Sequence, residues 1–120
     1  MTAPKTFGIE RAGHTVIVTP RQKLDELAYQ QVESGATRLL DLLEASPVRN
    51  VLLDLRHTDY LGSSALGLLL KVCKRLRRRK GALAFCNVSD QAREILRITR
   101  LDTLWPIYPS RGEALTAVQK

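Results

Sequence analysis

Two adjacent serines, Ser63 and Ser64, lie between two glycines in the stretch LGSSALGLLL, residues 61–70. A serine becomes a nucleophile when a neighbouring base takes its proton, and Asp54 and His57 are the candidate partners. The glycines do not have the spacing of the G-x-S-x-G elbow, which presents the nucleophilic serine of many hydrolases. We therefore predict no hydrolase triad and no catalytic residues.

Phosphate-binding and metal-binding patterns are also lacking in the sequence. Neither G-x-G-x-x-G nor G-x-x-x-x-G-K-[ST] occurs. Cys73 and Cys86 form no C-x-x-C pair, and only His14 and His57 could join them, whereas structural zinc usually takes four ligands. We expect two buried apolar thiols, no metal site and no cofactor.

The serine pair allows two further interpretations. In the first, Ser63 is the N-cap of a helix that begins near Ala65, and Ser64 lies in its first turn. In the second, a kinase phosphorylates a hydroxyl presented at this helix start. Free backbone N–H groups and the positive end of the helix dipole would accommodate the phosphate without unfolding the helix. Such a modification would act by repelling a partner.

Short apolar strands and helices alternate along the chain and must position these residues. The predicted strands are Phe7–Glu10, His14–Thr19, Asn50–Leu55, Ala82–Val88 and Trp105–Tyr108. The predicted helices run from about Leu24 to Ala45, from the serines to about Lys80, from Gln91 to about Thr99 and from Ser110 to Gln119. This order predicts an α/β fold: one domain over residues 1–120, with a four- to five-stranded, mostly parallel sheet covered by about four helices.

The helix after the serines has more apolar residues than one buried face needs. Its predicted buried face consists of Leu66, Leu69, Leu70, Cys73 and Leu76. Leu68 and Val72 lie beside this face, either at the edge of the core or in contact with a partner. Gly81 stands where a helix C-cap is expected.

The net charge of +7 comes from one segment. Lys71–Lys80 contains seven basic residues and no acidic one, which leaves 19 − 7 = 12 basic residues against 12 acidic residues elsewhere. A solvated helix face explains these cations, because the dipole favours them at a helix C-terminus. An acidic protein partner is the alternative. No aromatic residue in the segment could stack on bases, so we expect no specific nucleic-acid binding.

The sequence also bears on location. No stretch approaches the ~20 apolar residues of a membrane helix. The opening segment MTAPKTFGIERAG lacks the apolar run of a secretory signal. We expect a cytoplasmic protein without membrane insertion.

The order of motifs resembles the STAS domain of bacterial anti-sigma factor antagonists. The matching segments are Leu53-Asp54-Leu55, Gly62–Gly67, Gly81, Ile95–Asp102, Trp105–Tyr108 and Glu113-Ala114-Leu115. Where the family has D-S-S-G-L-G, this chain has G-S-S-A-L-G. Gly62 therefore replaces the family aspartate, and Ala65 replaces a glycine.

The resemblance implies that the chain is not an enzyme and that it acts by partner switching. Ser63, or alternatively Ser64, would accept phosphate from a serine kinase that is also the anti-sigma factor. The unphosphorylated chain would bind this kinase and thereby free the sigma factor. The phosphorylated chain would dissociate from the kinase, and a serine phosphatase would remove the phosphate. The implied partner-binding residues are Asp25, Tyr60, Gly62, Ser63, Ser64, Ala65, Leu68 and Val72.

Gly62 also indicates an alternative function. The loss of the family aspartate at this position favours a STAS adaptor subunit of a transporter or signalling complex, which would bind its partner without being phosphorylated.

Overall fold

A computed structural model describes residues 7–20, 37, 38, 41, 44, 48–58 and 61–118. Five strands form one sheet in the order β1-β2-β3-β4-β5. They are β1 (Phe7–Ala12), β2 (Thr15–Pro20), β3 (Asn50–Asp54), β4 (Leu83–Cys86) and β5 (Ile107–Tyr108). β1 and β2 form an antiparallel hairpin, and β2 to β5 pair in parallel. The predicted α/β class and mostly parallel sheet are confirmed.

Three helices follow β3, β4 and β5 in turn. They are α1 (Ser63–Arg78), α2 (Asp90–Ile98) and α3 (Arg111–Val118). The predicted helix from Leu24 to Ala45 lies mostly outside the described residues; those that are described (Thr37, Arg38, Asp41 and Glu44) have helical backbone. The last strand is shorter than predicted, because Trp105 is buried and its ring stacks on Phe85 in the core instead of entering the sheet.

The two faces of the sheet are covered by different helices. Val51 and Leu53 point to the face that carries α1 and α2, and Leu52 points to the face that carries α3. This alternation follows from the two-residue period of a strand. Strands that pair in chain order through right-handed crossovers place their connecting helices on one face, which leaves the other face to the terminal helix.

The buried face of α1 differs from the prediction. Ala65, Leu68 and Val72 are buried together with Cys73 and Leu76, whereas Leu70 is 39% exposed. Leu66 and Leu69 are only partly buried. The apolar run from residue 65 to residue 70 has no charged residue to fix the helical phase, and the small Ala65 marks the core side better than the leucines do.

The end of α1 also corrects the prediction. The helix ends at Arg78, and Lys80 takes the left-handed conformation (φ 61°) that is expected of a glycine. The Gly81 N–H donates to the Leu76 carbonyl at 2.8 Å. A Cβ at Gly81 would lie 1.6 Å from the Arg49 carbonyl oxygen, so this glycine serves the close approach of two backbone segments.

The prediction of buried thiols is confirmed. Cys73 and Cys86 are both free and buried. Burial, followed by the nearby Asp54 carboxylate, raises the pKa of the Cys86 thiol to about 11, so it stays protonated at neutral pH. In the described part of the chain, no group of histidine, cysteine and acidic residues could hold a metal ion.

None of the helices that the structure describes is long and apolar enough to cross a membrane.

Candidate functional site

The helix start lies earlier than the sequence predicts. α1 begins at Ser63, and its N-cap is Gly62, with an extended backbone (φ −78°, ψ 168°). The Gly62 carbonyl accepts the first helical hydrogen bond, from the Leu66 N–H at 3.1 Å. The prediction that Ser63 caps a helix beginning near Ala65 is therefore wrong, because Ser63 and Ser64 both have helical backbone. Ser63 is the first residue of the helix.

The first turn of α1 contains neither a side-chain cap nor an acidic residue. Since the helical ladder starts with the Leu66 N–H, the N–H groups of the three residues before it have no helical acceptor. Gly62 has no side chain that could accept a hydrogen bond, and the first turn contains no acidic residue. A negative group added here would gain hydrogen bonds and a favourable interaction with the dipole.

An acceptor introduced at the N-cap should stabilise the start of α1. We expect Gly62→Asp to raise the free energy of unfolding by about 0.5–1 kcal/mol at pH 7, because an aspartate caps better than glycine and its charge complements the dipole. Urea unfolding measures the change. Gly62→Asn keeps the cap without the charge and should gain less; equal gains in both variants would contradict the role of the dipole.

Three of the predicted partner-binding residues belong to the core. Ala65, Leu68 and Val72 are 3%, 6% and 2% exposed, and all three lie on the side of α1 that packs against the sheet. Of the two interpretations of Leu68 and Val72, the structure therefore shows core packing. Asp25 and Tyr60 lie outside the described residues.

The exposed side of α1 is formed by other residues. Gly67, Leu70, Lys74 and Arg77 recur at three- and four-residue steps, so they share one side of the helix, which we call the outer face of α1. Gly67, Lys74 and Arg77 are exposed, and Leu70 is one of the few large apolar side chains that are exposed in the described structure. Towards the N-terminus, the outer face continues to the start of α1.

A fully buried carboxylate lies at the end of β3, where the loop to α1 begins. Asp54 accepts hydrogen bonds from the Asn87 amide at 3.0 Å and from the Arg56 backbone N–H at 3.1 Å. It also pairs with the guanidinium groups of Arg56 (3.0 Å) and Arg111 (3.1 Å). None of these bonds goes to His57, so the described geometry does not assemble the aspartate–histidine pair that a hydrolase would need.

The electrostatics of Asp54 follow from these partners. Burial alone raises the pKa of Asp54, but hydrogen bonds from Asn87, Arg56 and Arg111, together with the charge of Arg56, outweigh burial. The pKa of this carboxyl group is consequently lowered below its ordinary value, and Asp54 is ionised at neutral pH.

Arg111 connects this carboxylate to the edge of the sheet. It is the first residue of α3, and its guanidinium also donates to Glu10 in β1 at 2.7 Å and to Thr19 in β2 at 3.3 Å. Neither Arg111 nor Asn87 is recognisable from the sequence alone as a partner of Asp54. The available signal was Asp54 itself, because an acidic residue that ends an apolar strand needs a cation and hydrogen-bond donors when it is buried.

Comparisons with known proteins agree with this architecture. The model of the family described as the STAS domain matches residues 7–114. A protein of Bordetella bronchiseptica named as an anti-sigma factor antagonist, BtrV, is 36% identical over 69 residues. That match covers 58% of this chain and 60% of BtrV, so the chain aligns with less than two thirds of this relative.

Solved structures match over nearly the whole chain. An anti-sigma-factor antagonist (STAS) domain protein of Planctomyces limnophilus has a TM-score of 0.82 at 29% identity, covering 95% of this chain and 98% of that one. The unphosphorylated form of the anti-sigma factor antagonist SpoIIAA has a TM-score of 0.81 at 20% identity, covering 94% and 96%. The phosphorylated form of SpoIIAA from Bacillus has a TM-score of 0.72 at 20% identity, covering 93% and 98%. With the family match spanning most of its length, this chain belongs to the STAS domain family.

Proposed function

We propose that this chain is an anti-sigma factor antagonist that is switched by phosphorylation of Ser63. In the unphosphorylated state it binds an anti-sigma factor with serine kinase activity, and phosphorylation releases it. A serine phosphatase removes the phosphate and restores binding. The observation that carries this proposal is the position of Ser63 as the first residue of α1, where the first N–H groups have no helical acceptor and the first turn contains no acidic residue.

The relatives support the same assignment. BtrV is named as an anti-sigma factor antagonist, and SpoIIAA has been described in unphosphorylated and phosphorylated forms.

A phosphate at Ser63 is suited to changing a contact without changing the fold. It adds a charge of about −1.5 to −2, and the N-terminus of α1 would stabilise that charge. Ala65, Leu68 and Val72 hold α1 against the sheet from inside the core. A partner bound over the helix start would meet the full added charge.

In this proposal the chain supplies the phosphate acceptor and no catalytic group. The Ser63 oxygen attacks the γ-phosphorus of ATP, ADP leaves, and the hydroxyl proton passes to a base of the kinase. Asp54 does not serve as that base, because it is fully buried and already accepts hydrogen bonds from three neighbouring residues.

The test is phosphate transfer in a reconstituted mixture. We expect an anti-sigma factor kinase from the same organism to bind the unphosphorylated chain and, with ATP, to add one phosphate that peptide mass spectrometry locates at Ser63. Ser63→Ala should lose this phosphate, whereas the matched variant Ser64→Ala should keep it. The assignment is wrong if Ser63→Ala takes up as much phosphate as the wild type.

Gly62 favours a second candidate function. A STAS adaptor subunit of a transporter complex would bind its partner without phosphorylation, and the loss of an aspartate before the serines removes an acceptor that a kinase could use. Stable binding of a transporter ATPase, without any ATP-dependent change in the mass of this chain, would support the adaptor.

A further inference from the structure

The second half of α1 carries a basic surface that the proposed switch does not explain. Its exposed members are Lys71, Lys74, Arg77, Arg78 and Lys80. Arg75 pairs with the Glu44 carboxylate, and Arg79 donates to the Val48 and Glu44 carbonyls. Within the described ranges, no carboxylate pairs with these five residues. The segment Lys71–Lys80, to which they belong, accounts for the net charge of +7.

This basic surface continues the outer face of α1. Gly67 is exposed, and a Cβ built on it would have no atom within 4 Å, so the backbone can be approached closely there. Leu70 comes next and is 39% exposed, and Lys74 and Arg77 follow on the same side of the helix. A partner lying along α1 from its start would meet a small residue, then an apolar one, then cations.

We propose that the basic surface docks an acidic face of the protein partner that binds the start of α1. Leu70 would provide the apolar contact, and Lys71, Lys74, Arg77 and Arg78 would pair with carboxylates of the partner. The inference rests on the proposed function in one respect, namely that the partner binds at the start of α1. Complementary charge at this distance from Ser63 would mainly raise the rate of association and fix the orientation of the partner.

The two ends of the helix then act on the partner in opposite ways. Lys74 is eleven residues from Ser63, or about 16 Å along the helix axis at 1.5 Å per residue. That separation exceeds the Debye length of about 8 Å at physiological salt, so the cations would not neutralise a phosphate at the helix start. An acidic partner would be attracted to one end and, after phosphorylation, repelled by the other.

An acidic protein fits the surface better than a nucleic acid or a membrane. The outer face of α1 contains no aromatic residue for base stacking, and Leu70 is its only large apolar side chain. A helix that lies on a membrane needs a wide apolar face, whereas here the wide apolar face is buried against the sheet.

The inference can be tested without the kinase. The probe is a 16-residue helical peptide rich in glutamate, titrated at 50 mM salt and followed by backbone amide NMR. We expect shifts at Gly67, Leu70, Lys74 and Arg77, and an affinity about tenfold lower for Lys74→Glu/Arg77→Glu. The matched variant Arg93→Glu/Arg100→Glu makes the same change in net charge at exposed positions in and just after α2, and it should lose less than threefold.

Competing ligands are measured in the same series. A DNA duplex of similar charge and vesicles containing about one third phosphatidylglycerol should bind more weakly than the peptide at 150 mM salt. Tighter binding of either one, or peptide shifts spread evenly over the protein, would overturn the inference. With the kinase, the Lys74→Glu/Arg77→Glu variant should associate about tenfold more slowly at 50 mM salt. A wild type that binds the peptide but no kinase would count against the proposed function alone.

Discussion

Arg111→Ala is expected to lower the free energy of unfolding by about 3 kcal/mol at pH 7. Removing one partner of a buried ion pair costs about 3–5 kcal/mol, because the remaining charge stays buried without compensation. The lower end applies here because the Arg111 side chain is itself 28% exposed and Arg56 remains beside Asp54. Urea unfolding followed by circular dichroism measures the loss.

Arg97→Ala provides the matched control. Arg97 also binds a carboxylate, that of Glu94, through two guanidinium nitrogens, but this pair lies on the exposed side of α2. Water screens an exposed pair almost completely, so this variant should lose far less stability than Arg111→Ala. Similar losses in both variants would contradict the argument from burial.

The pH dependence of the Arg111→Ala effect follows from the sign of the Asp54 shift. The pKa of Asp54 is lower in the folded state than its ordinary value of 3.8, so its ionised form contributes stability above that pH. This contribution is lost as the pH falls below about 4 and passes through the lowered folded-state pKa. The gap in stability between the wild type and Arg111→Ala should therefore be largest at neutral pH and shrink in acid.

The contrast between Asp54 and the strands around it shows what local sequence can predict. The β-strands could be located because apolar residues alternating with turns carry a local signal, and their order restricts the sheet to few topologies. The partners of Asp54 could not be located in the same way. Arg111 and Asn87 are 57 and 33 residues away in sequence, and only the folded sheet brings them to its edge.

The errors in α1 have local causes. The leucine-rich segment after Ser64 is compatible with several helical phases, so the sequence alone placed Leu70 inside and left Leu68 undecided. Serine is a preferred capping residue, so the sequence alone favours Ser63 as the N-cap. The extended backbone of Gly62 shows that the helix starts at Ser63, which moves the serine from the cap into the helix.

The position of Ser63 inside the helix underlies a second large expected effect, on the affinity for the partner. We expect Ser63→Asp to lower the affinity for the anti-sigma factor kinase about 100-fold while changing the free energy of unfolding by less than about 0.5 kcal/mol. A charge left unpaired in an interface costs about 2–5 kcal/mol, and each 1.4 kcal/mol corresponds to a tenfold change in affinity. The fold tolerates the same charge, because the first turn of α1 has a positive dipole end and no acidic residue.

Two variants separate charge from size and from position. Ser63→Asn has nearly the volume of Ser63→Asp without its charge and should lose less than about tenfold in affinity. Ser110→Asp places the same charge beside the start of α3, where the Ser110 hydroxyl accepts the Glu113 N–H. Because α3 covers the opposite face of the sheet, this variant should bind the kinase within about twofold of the wild type. Calorimetry measures the affinity of all three variants for the kinase. Equal losses of affinity for Ser63→Asp and Ser110→Asp would mean that binding depends on the net charge and not on a charge at the start of α1.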